Sequence, residues 1–456
     1  MNKQQAHPSD AGPSNPGDQF SKAGFIFAAI GSAVGLGNLW KFPYITGKFG
    51  GGAFFMLFIL CLIIIALPVL IAELAIGRGG RGNASSSFYK LSGSKFWAGS
   101  GLIGVVAAFM ILSFYSVVAG WTVYYAVKSF SGSLFSNPDY NGQFEAFTGS
   151  WSPVFWQFIV LAICLFVILK GVSSGIEKFN KVLIPGLVIV LLFLMVQALR
   201  LPGAGAGVEF FLKPDFSKLT GHSVLEAMGL AFFSMSLGMG AMITFGSYVQ
   251  KEQSLGTASI AVGLGNLSYA LIAGLIIFPT TFAFGIEPAQ GPGLVFVVLP
   301  AAFSAMPFGS LFGGLFFVLL AMAALTSAVS LLEVPTAYVM SRWNLSRKKA
   351  AVYTTIVVFA LGVPAALSVG GVLSDIHIFG KNIFDIIDYI ASNILLPLGG
   401  LAGTIFAGYV WKKAGEEAGL QGIWYKIWRF LLCVITPILI VLVFLSSTGL
   451  LDWIIV

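Results

Sequence analysis

Uninterrupted apolar runs recur along this chain from residue 24 to residue 448, many of them about twenty residues long, the length needed to cross a bilayer. In lipid every backbone polar group must be satisfied internally, so only helices and closed barrels can span it. Barrel strands alternate apolar and polar residues over about ten positions, whereas the runs here are continuous. The expected fold is therefore an all-α polytopic membrane protein. Charge agrees: 9% of the 456 residues are Asp, Glu, Lys or Arg, against roughly a quarter in soluble domains.

Hydropathy predicts eleven spans, at approximately 22–45, 52–77, 97–130, 154–170, 179–199, 222–249, 256–285, 308–341, 350–368, 384–411 and 425–448. An odd number puts the termini on opposite faces. If the N-terminus is inside, 18 of the 25 Lys and Arg fall on its face and 7 on the other. The positive-inside rule then places the N-terminus in the cytoplasm and Val456 outside. Because the basic residues are dispersed between apolar runs, the net charge of +7 implies no nucleic-acid partner. Cys61, Cys164 and Cys433 lie within apolar runs and suggest no disulfide framework. Residues 1–21 read as a flexible cytoplasmic tail without the apolar core of a signal peptide. Residues 22–456 read as a single transmembrane domain.

Two spans are poor membrane helices. Gly31, Gly35 and Gly37 crowd the first, followed by Asn38, Lys41 and Pro43. Each glycine lowers helix preference by about 1 kcal/mol against alanine, and buried Asn or Lys is costly without partners. The sixth span holds Ser234, Ser236, Gly238 and Gly240 at its centre. These interruptions lie five spans apart. Paired interruptions in corresponding positions indicate an inverted five-plus-five helix repeat with broken first and sixth helices and a midplane site. Repeat one covers about 22–199 and repeat two about 222–411, with an eleventh helix added. Gly77 and Gly400 read instead as close-packing positions.

Polar groups in other spans need partners. Asn266 reads as either a helix–helix clasp or a ligand. Thr326 and Ser327 are residue types that mostly bond back to their own helix. Glu73 is expected to pair with basic residues or backbone around the first loop. Tyr115 reads most simply as an ordinary aromatic with its hydroxyl satisfied. His7, His222 and His377 lie outside the spans or at an edge. With no His, Cys or carboxylate cluster for metal or nucleophilic chemistry, the chain is not expected to be an enzyme.

Residues 32–44 (Ser-Ala-Val-Gly-Leu-Gly-Asn-Leu-Trp-Lys-Phe-Pro-Tyr), 50–54 (Gly-Gly-Gly-Ala-Phe) and 73–78 (Glu-Leu-Ala-Ile-Gly-Arg) resemble the neurotransmitter:sodium symporter family. The sixth span, Asn266 and the Leu325-Thr326-Ser327 run fit too, so the resemblance covers residues 20–448. Eleven spans and short outer loops are similar to the bacterial branch, which implies the bacterial inner membrane. The implied function is a sodium-coupled symporter importing neutral hydrophobic L-amino acids by alternating access. The rival reading is a non-transporting amino-acid-binding receptor or regulator on the same fold.

The resemblance implies two sodium sites. One would use Ala33, Asn38, Ser234, Asn266 and the substrate carboxylate; the other Gly31, Val34, Ala323, Thr326 and Ser327. Sodium is a hard cation, and carbonyls freed by a helix break can hold it without adding protein charge. The substrate carboxylate would meet Tyr115 and the N–H groups near Leu36 and Gly37, at a half-helix N-terminus. Its ammonium would meet carbonyls of Ala33, Phe233 and Ser234. Ser32, Ile111, Phe233, Ser236, Met239, Ser327 and Leu331 would surround its side chain, with Met239 adaptable in shape. Amine-carrying members place an Asp where this chain has Gly35, so an α-amino acid is implied rather than a monoamine.

Lys41 and Asp388 match the family's extracellular gate pair, beneath which Tyr115 and Phe233 would form an aromatic lid. Gly175 and Pro185 match a fifth-span motif that unwinds in relatives. A simple proline kink is the other reading. Four departures stand out. The Arg-x-x-Trp of relatives is replaced by Pro16-Gly17-Asp18-Gln19, and its eighth-span Asp partner by Ser341. Ala270 stands four residues after Asn266, where chloride-dependent members carry Ser, and Leu230 replaces an expected Gln. No chloride requirement is expected.

Overall fold

The computed structural model describes residues 19–285 and 294–450. Most of the expected N-terminal tail, Pro16 to Asp18 and Val456 lie outside the described residues.

The first span is α1 (Lys22–Ala33) followed, after a 45° bend, by α2 (Gly37–Lys48). The second is α3 (Gly52–Gly80), joined through the short α4 (Ala84–Ser92) to the third, α5 (Lys95–Phe130). A surface helix α6 (Tyr140–Thr148) precedes the fourth span, α7 (Ser152–Leu169), and the fifth, α8 (Val172–Leu199). Another surface helix, α9 (Ala204–Leu212), leads to the sixth span. That span is α10 (Gly221–Ser234) and α11 (Ala241–Ser247), separated by residues 235–240. The seventh is α12 (Leu255–Ala283). After α13 (Val295–Ser304) come the eighth span, α14 (Gly309–Trp343), the ninth, α15 (Arg347–Leu367), and the tenth, α16 (Ile383–Val410). The short α17 (Ala414–Ala418) leads to the eleventh, α18 (Gly422–Ser447). Each expected span has its helix or broken helix pair. The surface helices were not anticipated, because a loop helix of nine residues carries no run long enough to register.

Burial sorts the spans. In α5 and α14 the most apolar windows are 72% and 78% buried inside the protein, against 28% in α8 and 17% in α18. The last two keep apolar faces outward, as lipid allows and water does not. The centre therefore consists of α5 and α14, packed lengthwise, with the broken spans against them.

Both breaks follow from their residues. α1 ends at Val34, with φ −89° and ψ 87°. In the sixth span Gly238 and Gly240 take φ of 78° and 70°, the left-handed region that glycine enters without penalty. Ser236 joins them at φ 54°, a strained conformation for a residue with a Cβ. Small-residue packing is equally local. A Cβ on Gly77 would strike the Ile243 backbone, and one on Gly400 the Phe232 ring.

The fifth span begins at Val172 rather than near residue 179, because a π-helical turn over Val172–Glu177 takes in Gly175. Pro185 lies inside a continuous helix, so the motif is wound in this conformation.

Candidate functional site

The broken spans meet α5 and α14 around a small cavity. Its walls are Ser32, Ala33, Gly35, Gly37, Ile111, Tyr115, Phe233, Ser234, Ser236, Met239, Ser327 and Leu331. All of these were expected around a substrate. Leu36, the remaining expected residue, points its backbone N–H at the Tyr115 hydroxyl, 3.2 Å away. The buried Tyr115 thus has its hydroxyl satisfied, and the partner lies at the first-span break. Gly35 is required by the same closeness: a Cβ there would lie 2.5 Å from Ser327 Oγ and 2.9 Å from the Tyr115 hydroxyl. The cavity volume is only about 20 Å³, space for a water rather than an amino acid. A larger cavity of about 340 Å³ lies beyond Lys41 and Phe233, walled by α10, α16 and α18. It lacks the converging backbone groups, so the smaller cavity is the candidate site.

Beside the cavity lies a chain of amides. Asn38 Nδ2 donates to Asn266 Oδ1 at 2.5 Å, and Asn266 Nδ2 donates to Ser234 Oγ at 3.1 Å. Asn38 Oδ1 is fully buried and has no hydrogen-bond partner, a costly condition for a protein oxygen. An orphaned buried oxygen beside a chain of amides that ends on Ser234 fits a hard cation. Asn266 is thus a clasp that joins Asn38 to Ser234.

A second oxygen cluster joins α1 to α14. Ser327 Oγ donates to the carbonyls of Gly31 and Ser32, at 3.2 and 3.1 Å. Thr326 Oγ1 bonds back to the Ala323 carbonyl at 2.9 Å, as threonine in membrane helices commonly does. Gly31, Ala323, Thr326 and Ser327 are thus contiguous, and Val34 closes α1 one turn further on.

Contacts link the helices on both sides of the cavity. On one side Lys41 Nζ stands 3.9 Å from Asp388 Oδ2 and 4.6 Å from the centre of the Phe233 ring. On the opposite, basic face Phe20 is fully buried, edge-on to Phe245 and Tyr248. Its N–H donates to the Tyr248 carbonyl at 3.1 Å. Ser21 gives its N–H and hydroxyl to Glu177 at 2.9 and 2.6 Å. Arg347 grips Glu333, which also accepts from the Tyr248 hydroxyl. Phe20, Glu177, Glu333 and Arg347 thus fasten the start of the chain, α8, α14 and the end of the sixth span together on this face. No local motif marks this set; only the folded chain assembles it.

Glu73 departs from its expectation. Its Oε1 accepts the Gly238 N–H at 2.7 Å, so it braces the sixth-span break rather than the first loop. Asn180 was missed outright: fully buried on α8, it lies directly against Gly31.

The sequence profile of the sodium:neurotransmitter symporter family matches residues 18–139 and 147–451. The chain is 40% identical over 444 residues to the uncharacterized sodium-dependent transporter YhdH of Bacillus subtilis, covering 95% of this chain and 98% of that one. An uncharacterized sodium-dependent transporter of Haemophilus influenzae is 36% identical over 444 residues, covering 94% and 97%. Among solved structures, MhsT in complex with L-phenylalanine superimposes with a TM-score of 0.88 at 45% identity, covering 94% of this chain and 99% of that one.

Proposed function

The chain belongs to the sodium:neurotransmitter symporter family, and from that membership we propose that it imports neutral hydrophobic L-amino acids, aliphatic or aromatic, by alternating access. It is a multi-pass membrane protein and a sodium-dependent symporter. The observation that carries the substrate class is the wall at Gly35. No acidic side chain lines the cavity, and the Tyr115 hydroxyl and Leu36 N–H converge there. A lone monoamine finds no counter-ion in such a wall. A carboxylate gains the Tyr115 hydroxyl as a donor, next to a half-helix N-terminus. Ile111, Phe233, Met239 and Leu331 suit an apolar side chain, and MhsT, a family relative, was solved with L-phenylalanine bound.

Two sodium ions accompany the substrate in this reading. One is held by Ala33, Asn38, Ser234 and Asn266 with the substrate carboxylate, the other by Gly31, Val34, Ala323, Thr326 and Ser327. The orphaned Asn38 Oδ1 supports the first assignment. The basic face is cytoplasmic, so the Lys41–Asp388 side faces out and Val456 is extracytoplasmic, in the bacterial inner membrane. Two charges entering per cycle would draw roughly 4–5 kcal/mol from a 100 mV potential. Ala270 offers no hydroxyl for chloride, so none is required.

Uptake of radiolabelled leucine, tryptophan, proline and GABA into proteoliposomes, with and without sodium, tests the reading. Sodium-dependent, potential-driven uptake of leucine or tryptophan is expected, unchanged when gluconate replaces chloride. Sodium-dependent uptake of GABA alone sinks the substrate class, and binding without flux sinks transport.

A further inference from the structure

We propose that Asn180 on α8 is a relay ligand, the oxygen that takes the second sodium as it leaves Gly31 for the basic face. The inference rests on the transport reading above and adds a residue to it.

Asn180 is 0% exposed. Its Nδ2 is spent on the Ile176 carbonyl at 2.9 Å, within its own helix. Its Oδ1 has no partner. A buried amide oxygen without a donor costs free energy, and a structural clasp would use both ends of the amide. The free end points at the second oxygen cluster. A Cβ placed on Gly31 would collide with Asn180 Oδ1 and stand 3.2 Å from Thr326 Cβ. Gly31, whose carbonyl accepts from Ser327, therefore brings the orphaned oxygen to the edge of that cluster. Only glycine leaves this space.

The same face of α8 continues towards the basic side. Glu177 lies three residues before Asn180, one helical turn away, and packs where a Cβ on Gly24 would stand. Gly24 and Gly31 are seven residues apart on α1, two turns along one face. The two contacts thus line one seam between α1 and α8. An amide oxygen is followed there by a carboxylate, which Lys181 and Ser21 occupy in this closed conformation. The π-helical turn over Val172–Glu177 sits at the basic end of the seam. A π-turn is a frequent mark of a functional site. A cation leaving Gly31 along this seam meets oxygen first at Asn180.

The relay role separates net transport from exchange. With equal sodium on both sides of a proteoliposome, substrate can exchange without sodium leaving its site; net uptake needs sodium to leave on every cycle. Asn180→Leu removes the oxygen at nearly constant volume. It should cut net uptake roughly tenfold, while exchange and sodium-dependent phenylalanine binding stay within about twofold. Asn180→Asp places a charge at the seam and should lower the half-saturating sodium for equilibrium phenylalanine binding by roughly tenfold, since ligand charge tunes cation affinity. A merely structural Asn180 would lower the melting temperature without moving either the net-to-exchange ratio or the sodium dependence. If Asn180→Asp leaves half-saturating sodium within twofold, or Asn180→Leu keeps net uptake at the unaltered level, the proposal is overturned. Sodium-independent binding by the unaltered protein is a different failure, that of the transport reading itself.

Discussion

Arg347 holds Glu333 with two nitrogens, Nη1 on Oε2 at 2.8 Å and Nη2 on Oε1 at 2.9 Å. Glu333 is fully buried on α14, and Tyr248 adds a third bond to Oε1 at 2.7 Å. This triad ties the eighth span to the start of α15 and to the end of the sixth span. Phe20 rests on Tyr248, so the triad also seats the start of the chain.

Removing one partner of a buried ion pair strands the other charge and costs about 3–5 kcal/mol. Arg347→Ala should therefore lower the melting temperature in detergent markedly. Glu333→Gln combined with Arg347→Met should recover most of the loss, because no lone charge remains. Equal melting temperatures for the single variant and the unaltered protein would show that the triad contributes nothing.

The Asn38–Asn266 pair predicts a sodium phenotype. Asn38→Ala deletes the orphaned Oδ1 together with the donor to Asn266. Half-saturating sodium for phenylalanine binding should rise roughly tenfold or more, the loss of one oxygen ligand being worth at least 1.4 kcal/mol. Equilibrium binding across a sodium titration reads this directly, and an unmoved midpoint would count against the first sodium assignment.

Tyr115 and Gly35 predict a substrate phenotype instead. Tyr115→Phe removes the hydroxyl that Leu36 N–H contacts, and a hydrogen bond to a charged group is worth about 1.5–3 kcal/mol. Phenylalanine affinity should drop about tenfold or more at saturating sodium. Gly35→Ala should abolish binding, since its Cβ would stand 2.5 Å from Ser327 Oγ. Calorimetry or competition binding distinguishes both from a folding defect when the melting temperature is measured alongside.

The outer pair predicts a kinetic phenotype. Lys41 and Asp388 are each 30% exposed and 3.9 Å apart, a separation at which an ion pair is worth little. Lys41→Arg supplies a planar fork that can hold a carboxylate with two bonds. Dissociation of bound phenylalanine should slow in Lys41→Arg and quicken in Lys41→Ala, with sodium dependence unaltered in both. Radioligand washout measures it.

The sequence by itself determined the membrane class, the number of spans and the position of both breaks. Each of these is a local property: apolar length, or glycines and polar residues where a helix should continue. The cavity wall was legible through the family resemblance, which singled out Gly35, Tyr115 and Ser327. Only tertiary structure decided the rest. Ser21 and Glu177 are separated by 156 residues yet share two hydrogen bonds, and nothing near either residue announces the other. Asn180 looks like any polar residue near a span end until α8 packs on α1 and leaves its oxygen buried beside Gly31. Glu73 finds a backbone N–H on a broken helix 165 residues away. Partners of this kind arise from burial, since a polar group cut off from water must take whatever donor or acceptor the packing brings to it. Which one that is depends on how the helices dock.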